Sequence, residues 1–276
     1  MARTNTLGNF LTDVADAIRE KKGTTDTILA SNFDTEIASI ESGVDINEYL
    51  SDTITNGDSS LGGWAKTIKK MRSPLTVKGT DAQYMFYRYP LNELPQLNTS
   101  NVTNMSNMFN GCYGLTTIPQ LDTSNVTNMS DMFNSCNKLT TIPQLNTSNV
   151  DNMSDMFSGC NKLTTILQLN GEKLANINYV FRNCTSLENF NGLINLGQAY
   201  STTTSANYGN YRLDLSSSTS LTEQSLINIL NNLYDIATKG CKTQTVTLGA
   251  TNLAKLTSTE GQQALANAQS KGWNIN

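Results

Sequence analysis

The sequence predicts an α/β solenoid in which 24-residue repeats stack on a parallel sheet, with a small helical attachment domain before it and larger strand–helix capping repeats after it. Three observations predict it. Residues 97–168 divide without a gap into LNTSNVTNMSNMFNGCYGLTTIPQ (97–120), LDTSNVTNMSDMFNSCNKLTTIPQ (121–144) and LNTSNVDNMSDMFSGCNKLTTILQ (145–168). A weaker copy, LNGEKLANINYVFRNCTSLENFNG, follows at 169–192, and YMFYRYPLNELPQ at 84–96 aligns as a truncated copy after a one-residue deletion. Drifted copies belong at the ends of a stack, where the outer face meets water or other chain. Finally, Leu-x-Leu at 213 and Val-x-Leu at 246 recur at a longer period of 33 residues. The boundaries that follow are a helical attachment or oligomerisation segment at 1–43, an adaptor at 44–80, the 24-residue solenoid at 81–196, and strand–helix repeats with a cap at 197–276.

The first element, LGNFLTDVADAIREKKG (7–23), reads as an amphipathic helix with Leu7, Leu11, Val14 and Ile18 on one face and Gly23 as its terminator. In TTDTILASNFDTEIASI (24–40), Ser31 and Asp34 have capping-box spacing before a helix carrying Phe33, Ile37 and Ile40. Two short helices bury too little apolar area to stand alone, so this face is expected to contact a partner or another subunit. Between 44 and 80 the sequence suggests a strand at Ile46 to Tyr49, a Gly/Ser/Asp loop at 56–63 and a short helix at 64–71. Gly62-Gly63 is not followed by Gly-Lys-Ser/Thr, so no phosphate loop is expected there.

Within a 24-residue unit, Leu115, Ile118 and Leu121 have the rhythm of a short strand and its turn. Val126, Met129, Phe133 and Cys136 are spaced three, four and three, which predicts one face of a helical segment, with Thr127 placed to cap it. Stacking should bring Phe109, Phe133, Phe157 and Phe181 into one column and Cys112, Cys136, Cys160 and Cys184 into another. Asn101, Asn125 and Asn149 recur at a bend, where their amides can serve backbone groups of adjacent coils. The cysteines recur every 24 residues with no Cys-x-x-Cys pair, so they are expected to be small buried hydrophobes. The truncated first repeat carries Tyr84, Tyr87 and Tyr89, expected to seal the end of the core. In the last segment, LDLSSSTSLTEQSLINILNNLYDI predicts a strand and a helix with Leu226, Ile229, Leu230 and Leu233 on one face. A second strand at Thr245 to Leu248 and a last edge at Trp273 to Ile275 close the fold.

Composition removes several classes of chemistry. The chain has no histidine, which excludes Ser-His-Asp and Cys-His nucleophile systems and any His-ligated metal. With Lys+Arg 19 against Asp+Glu 23 and no long run of either sign, a nucleic-acid surface is not expected. No secretory signal reads at Met1 to Phe10 and no apolar run is long enough to span a membrane, so membrane insertion is not expected. The five cysteines are expected to be reduced thiols, and sequons such as those at Asn101 and Asn125 are by-products of the repeat rather than glycan sites. No enzyme is expected, and no cofactor or metal. Asp131 and Asp155, the most suggestive carboxylates, are equivalent positions on a solvated face.

The unit Thr-Ser-Asn-Val-Thr-Asn-Met-Ser-x-Met-Phe-x-x-Cys-x-x-Leu resembles the BspA-like branch of bacterial leucine-rich repeats over about a third of the chain. The resemblance implies a leucine-rich-repeat solenoid in a binding role, found on bacterial surface proteins and in phage structural proteins of Gram-positive hosts. NNLYDI and the final KGW are similar to the closing segments of such repeat proteins. A helix ending in KKG, then TTDTI, then F-x-x-E-I-x-x-I, resembles the N-terminal segment of phage tail, baseplate and fibre proteins over about 35 residues. That implies a virion component made in the host cytoplasm. It would contact other virion proteins, and copies of itself within an assembly, through 1–43, and would present the repeats to a host-surface protein or glycan. A bacterial surface adhesin or other interaction module is the alternative.

Two surfaces are candidates for the ligand. Thr116, Thr140 and Thr164 with Gln120, Gln144 and Gln168 form polar rows on the strand face. The segment QAYSTTTSANYGNYR (198–212) sets Tyr200, Tyr208 and Tyr211 among small polar residues, the mixture of rigid anchors and adaptable contacts found in paratopes.

Overall fold

A computed structural model describes residues 53–55, 75–88, 92, 94, 96–199, 212–239 and 243–276. The predicted helices with Leu7, Leu11, Val14, Ile18, Phe33, Ile37 and Ile40 lie outside these residues, as do Ile46 to Tyr49, the helix expected at 64–71, and Tyr200, Tyr208 and Tyr211. The described chain begins with three parallel strands, β1 (Thr53–Thr55), β2 (Leu75–Lys78) and β3 (Leu97–Asn98), in the order β1-β2-β3. From there the chain winds in coils, one above the next. Parallel bridges run from Asp81 to Asn104, Asn128, Asn152 and Asn176 in turn, so each coil repeats its predecessor 23 or 24 residues on.

The apolar positions of each coil are buried as their spacing requires, but no helix runs through them. Val126, Met129, Met132, Phe133 and Cys136 are fully buried, and residues 130–135 form turns. Met129, Asp131, Phe133 and Ser135 donate their N–H groups to the carbonyls of Asn152, Ser154, Met156 and Ser158 in the next coil, at 2.7 to 2.9 Å. The residues between them, Met132, Asn134 and Cys136, donate to carbonyls three residues back. A helix would commit every one of these donors to its own i−4 carbonyl and leave nothing to join coil to coil. Here alternate donors hold the stack together. The geometry requires two left-handed residues per coil: Asn107, Asp131, Asp155 and Tyr179 in one row, and Gly111, Ser135, Gly159 and Asn183 in the other. Asn, Asp and Gly occupy most of those places because they accept that conformation at least cost. Thr127 caps nothing; its N–H and hydroxyl both donate to the carbonyl of Thr103 in the preceding coil.

The strand expected through Leu115, Ile118 and Leu121 does not form. Pro119 and Pro143 supply no N–H, which limits ladder pairing on that side of the coil. Where Leu167 replaces proline, β4 (Thr165–Ile166) forms and pairs in parallel with β6 (Asn189–Phe190), while β5 (Leu169–Asn170) pairs with β7 (Leu193–Ile194).

The core is a set of columns. Phe86, Phe109, Phe133, Phe157 and Phe181 stack with ring centroids 5.4 to 5.8 Å apart and planes within 7° of parallel, all fully buried. Centroids that far apart mean slipped stacking, which the ring quadrupole prefers to a sandwich. Phe190 ends the column edge-on to Phe181 at 5.1 Å. Of the tyrosines expected to seal this core, Tyr89 lies outside the described residues and the other two do not seal it. Tyr84 and Tyr87 are 47% and 37% exposed and meet edge to face, while Ala82, Met85 and Phe86 fill the interior. Tyrosine is the wrong group for a dry end-wall here, because its hydroxyl needs a polar partner.

After 196 the units lengthen. β8 (Arg212–Asp214) leads to α1 (Glu223–Asn231), β9 (Gln244–Thr247), α2 (Gly249–Leu253), α3 (Thr259–Ser270) and β10 (Trp273–Ile275). These strands form a parallel sheet in the order β10-β9-β8, with Leu213 opposite Val246, one 33-residue period apart. Thr222 and Ser258 cap α1 and α3, accepting from the N–H groups of Ser225 and Gly261. Leu226, Ile229 and Leu230 are buried on α1, and Leu233 is buried just past its C-cap. The two kinds of unit meet at Gly192 (φ 98°), where an added Cβ would lie 2.6 Å from Nδ2 of Asn232 and 3.0 Å from the carbonyl oxygen of Asn228. No helix among the described residues is long and apolar enough to cross a membrane.

Candidate functional site

One groove, about 770 Å³, crosses the coils along the line where each begins its Gln-Leu-Asn/Asp-Thr-Ser segment. Gln96, Gln120 and Gln144 form its rim. The Nε2 of each donates to the backbone carbonyl of the glutamine one coil on, at 2.9, 2.8 and 2.7 Å. Leu97, Leu121, Leu145 and Leu169, each 2% or 3% exposed, set its base. Beside them, Oδ1 of Asn98, Asp122, Asn146 and Asn170 accepts the N–H two residues on, closing an Asx turn in every coil. Thr99, Thr123 and Thr147 are buried below and donate to the carbonyls of Asp122, Asn146 and Asn170 at 2.9 to 3.0 Å. The groove is therefore rigid and repeats a Gln and an Asn or Asp at each of four rungs. Its only charged lining residue is Asp122. Hydrogen bonds from the hydroxyl and N–H of Ser124 hold that carboxyl below the usual range, so it is an anion at neutral pH.

The predicted rows separate here. Gln120, Gln144 and Gln168 line the groove, whereas Thr116, Thr140 and Thr164 do not. The threonines form their own ladder, with hydroxyls donating to the carbonyls of Asn92, Thr116 and Thr140 at 3.2 to 3.5 Å. The sequence reading missed the Asn98/Asp122/Asn146/Asn170 and Thr99/Thr123/Thr147 rows. Their signal was present, as Leu-Asn/Asp-Thr-Ser opens three units in succession, but short polar runs in a repeat look alike until the coil is closed. The Asn ladder does occur at Asn125 and Asn149, whose Nδ2 groups donate to the carbonyls of Ser100 and Ser124 at 2.8 and 2.7 Å.

The cysteine column is buried, and its thiols do more than fill space. Sγ of Cys112, Cys136, Cys160 and Cys184 donates to the carbonyls of Phe86, Phe109, Phe133 and Phe157 at 3.0 to 3.2 Å. Burial pushes the Cys136 and Cys160 thiols well above their ordinary value and Cys184 up to about 12, with the neighbouring cysteines adding to the effect at Cys136 and Cys160. A buried thiol held neutral is a poor nucleophile and a poor metal ligand. Alkylating reagent at pH 8 is expected to leave all four unlabelled in the folded protein and to label all four in denaturant, as read by peptide mass spectrometry. Labelling of Cys136 or Cys160 without unfolding would contradict this burial.

Asp155 departs from the solvated carboxylate expected of it. It is half-buried and pairs with Arg182 at 3.2 Å, and Arg182 also lies over the Tyr179 ring. Desolvation, with Asp131 adding repulsion, raises its pKa despite Arg182. For an acid raised in the folded state, the cost of ionisation is present above the folded pKa and vanishes as pH falls below the unfolded value, near 3.9. Asp155→Asn should therefore be at least as stable as the parent at pH 7, with the difference in Tm shrinking towards pH 4. Asn107 holds the equivalent left-handed place, so the backbone accepts the change. A Tm difference that widened on acidification would contradict the assignment. Among the described residues no group of His, Cys, Asp and Glu is arranged to hold a metal ion.

Residues 80–195 match the model of a family described as Mycoplasma protein of unknown function, DUF285. No curated protein and no solved structure matches. The matched segment spans the stacked coils from the first short unit to the last 24-residue one, and it is consistent with a BspA-like repeat protein.

Proposed function

We propose that this chain is a non-enzymatic binding protein whose coils form a leucine-rich-repeat solenoid, carried on a phage virion as a tail, baseplate or fibre component. The groove across the coils is the observation that carries the binding reading: a rigid, regular polar surface, with the thiols sequestered and four coils each presenting a Gln and an Asn or Asp. The virion setting is supported by the sequence of residues 1–43, whose KKG-TTDTI-F-x-x-E-I pattern resembles phage attachment segments. Leu7, Leu11, Val14 and Ile18 on the first predicted helix, and Phe33, Ile37 and Ile40 on the second, are the contacts assigned to other virion proteins or to a second copy. The test is mass spectrometry of purified virions together with binding of the purified, labelled chain to host cells. The protein should be a stoichiometric virion component, and the labelled chain should decorate cells. Its absence from virions overturns the setting, and failure to decorate cells overturns host recognition.

A bacterial surface adhesin is the second reading, favoured by the repeat family alone, since the match at 80–195 says nothing about residues 1–43. Recovery of the protein in the envelope of prophage-free bacteria would select it.

A further inference from the structure

We propose that the groove binds a linear, uncharged glycan, with about one sugar unit to each coil. This rests on the reading of the chain as a binding protein but not on its place in a virion. The argument is one of charge, chemistry and repeat.

No lysine or arginine lines the groove, and Asp122 places a fixed anion near its middle. A polyanion, whether nucleic acid or acidic polysaccharide, would find no cation there and one carboxylate to repel it. An extended peptide fares little better. Peptides add to sheets by pairing with a free edge, and this groove lies over the face of the stack, where the rung carbonyls of Gln120, Gln144 and Gln168 already accept from neighbouring coils. A strand also advances roughly 6.6 Å per side-chain pair. The coils are joined by parallel backbone bridges, which sets them about 4.8 Å apart, so its side chains would drift out of step with the rungs.

A neutral glycan meets neither obstacle. Every sugar hydroxyl both donates and accepts, and the rungs offer fixed partners: a glutamine side-chain oxygen and an Asn or Asp side chain on each of four, with Ser124 and Ser148 on the middle two. A pyranose unit is about as long as one coil is thick, so a linear chain can repeat its contacts from rung to rung. Oδ1 of Asp122 is engaged by Ser124, which leaves Oδ2 to accept a sugar hydroxyl.

The experiment is calorimetry on the full chain with linear glucose, mannose, galactose, xylose and N-acetylglucosamine oligomers, β-1,3- and β-1,4-linked, from dimer to hexamer. Polygalacturonate and an alternating Val-Thr peptide are run beside them. At least one neutral series should bind, gaining about tenfold or more from dimer to tetramer and levelling once four coils are filled. Asp122→Ala and Gln144→Ala should each weaken the tetramer about tenfold or more with the melting transition retained. Thr164→Ala, off the groove, should leave binding unchanged. The proposal is overturned if no neutral oligomer binds, if affinity ignores length, or if polygalacturonate or the peptide binds more tightly. If the chain decorates host cells and Asp122→Ala and Gln144→Ala decorate them equally, the groove assignment falls while the binding function stands.

Discussion

Phe133→Ala should cost about 3–5 kcal/mol, the range for removing a fully buried aromatic ring. The ring lies between Phe109 and Phe157 at 5.6 and 5.7 Å, and both neighbours lose a stacking partner with it. Relaxation cannot close the gap. The backbone on either side is tied to the next coil through the N–H groups of Met129, Asp131, Phe133 and Ser135 and to the preceding one through the carbonyls of Asn128, Ser130, Met132 and Asn134, so collapse would break several bonds. Against a total stability of about 5–15 kcal/mol for a typical domain, such a loss removes a large share. Because stacked coils draw stability from their neighbours, the melt should also broaden or split as the halves on either side uncouple. Tyr113→Ala is the control: its side chain is 51% exposed, and a change there should stay within about 0.5 kcal/mol. Circular dichroism melts and denaturant titrations of both variants decide the matter. A Phe133→Ala cost no larger than that of Tyr113→Ala would mean the column does not hold the coils together.

What could be read from the sequence was whatever repeats with a side chain attached. Phe133 recurs as Phe109 and Phe157, and translation from one coil to the next turns that recurrence into a column. Even the one-residue deletion before the first full repeat survives in space, with Phe86 stacked 23 residues ahead of Phe109. The three-four-three spacing of Val126, Met129, Phe133 and Cys136 misled, because apolar spacing reports which residues face inward and not where their N–H groups go. Left-handed residues at Asp131 and Ser135 turn alternate donors outward and still keep the same faces buried. The clue lay in residue type: Asn107, Asp131, Asp155, Gly111 and Gly159 at two fixed places suit left-handed backbone far better than helix.

The site was half legible for a related reason. The glutamine row could be read as exposed strand positions, but its amides are engaged in holding neighbouring coils, and the carboxamide and hydroxyl rows beside it complete the groove. Thr116 and Gln120 are four residues apart in an element expected to be one strand. No strand forms there, and only the glutamine reaches the groove.

Replacing Asn252 should be nearly as damaging as emptying the phenylalanine column, for a reason no periodicity displays. Its side chain is fully buried in α2, and Nδ2 donates to the carbonyls of Leu215 and Leu248 at 3.1 Å and of Ser218 at 3.3 Å. One amide thereby ties the turn after β8 to the start of α2. Asn252→Ala removes three hydrogen bonds, at about 0.5–1.5 kcal/mol each, while the carbonyls of Leu215 and Ser218 keep the N–H groups of Ser218 and Leu221, so a loss of roughly 2–4 kcal/mol is expected. Asn252→Asp, almost the same shape, should be worse at neutral pH, since it points a carboxylate at three carbonyl oxygens. Lys255 offers little relief: its ammonium is 3.4 Å from Oδ1 and already donates to the carbonyls of Thr219 and Leu221 at 2.6 Å. Burial would raise the pKa of the new acid, so its penalty should be greatest above the folded pKa and should fall as the pH drops towards about 3.9. Melting curves of the parent, Asn252→Ala and Asn252→Asp between pH 4 and pH 8 separate the two effects. The aspartate variant should recover on acidification and the alanine variant should not; equal behaviour of the two across that range would show that the lost packing, and not the reversed hydrogen-bond polarity, sets the cost.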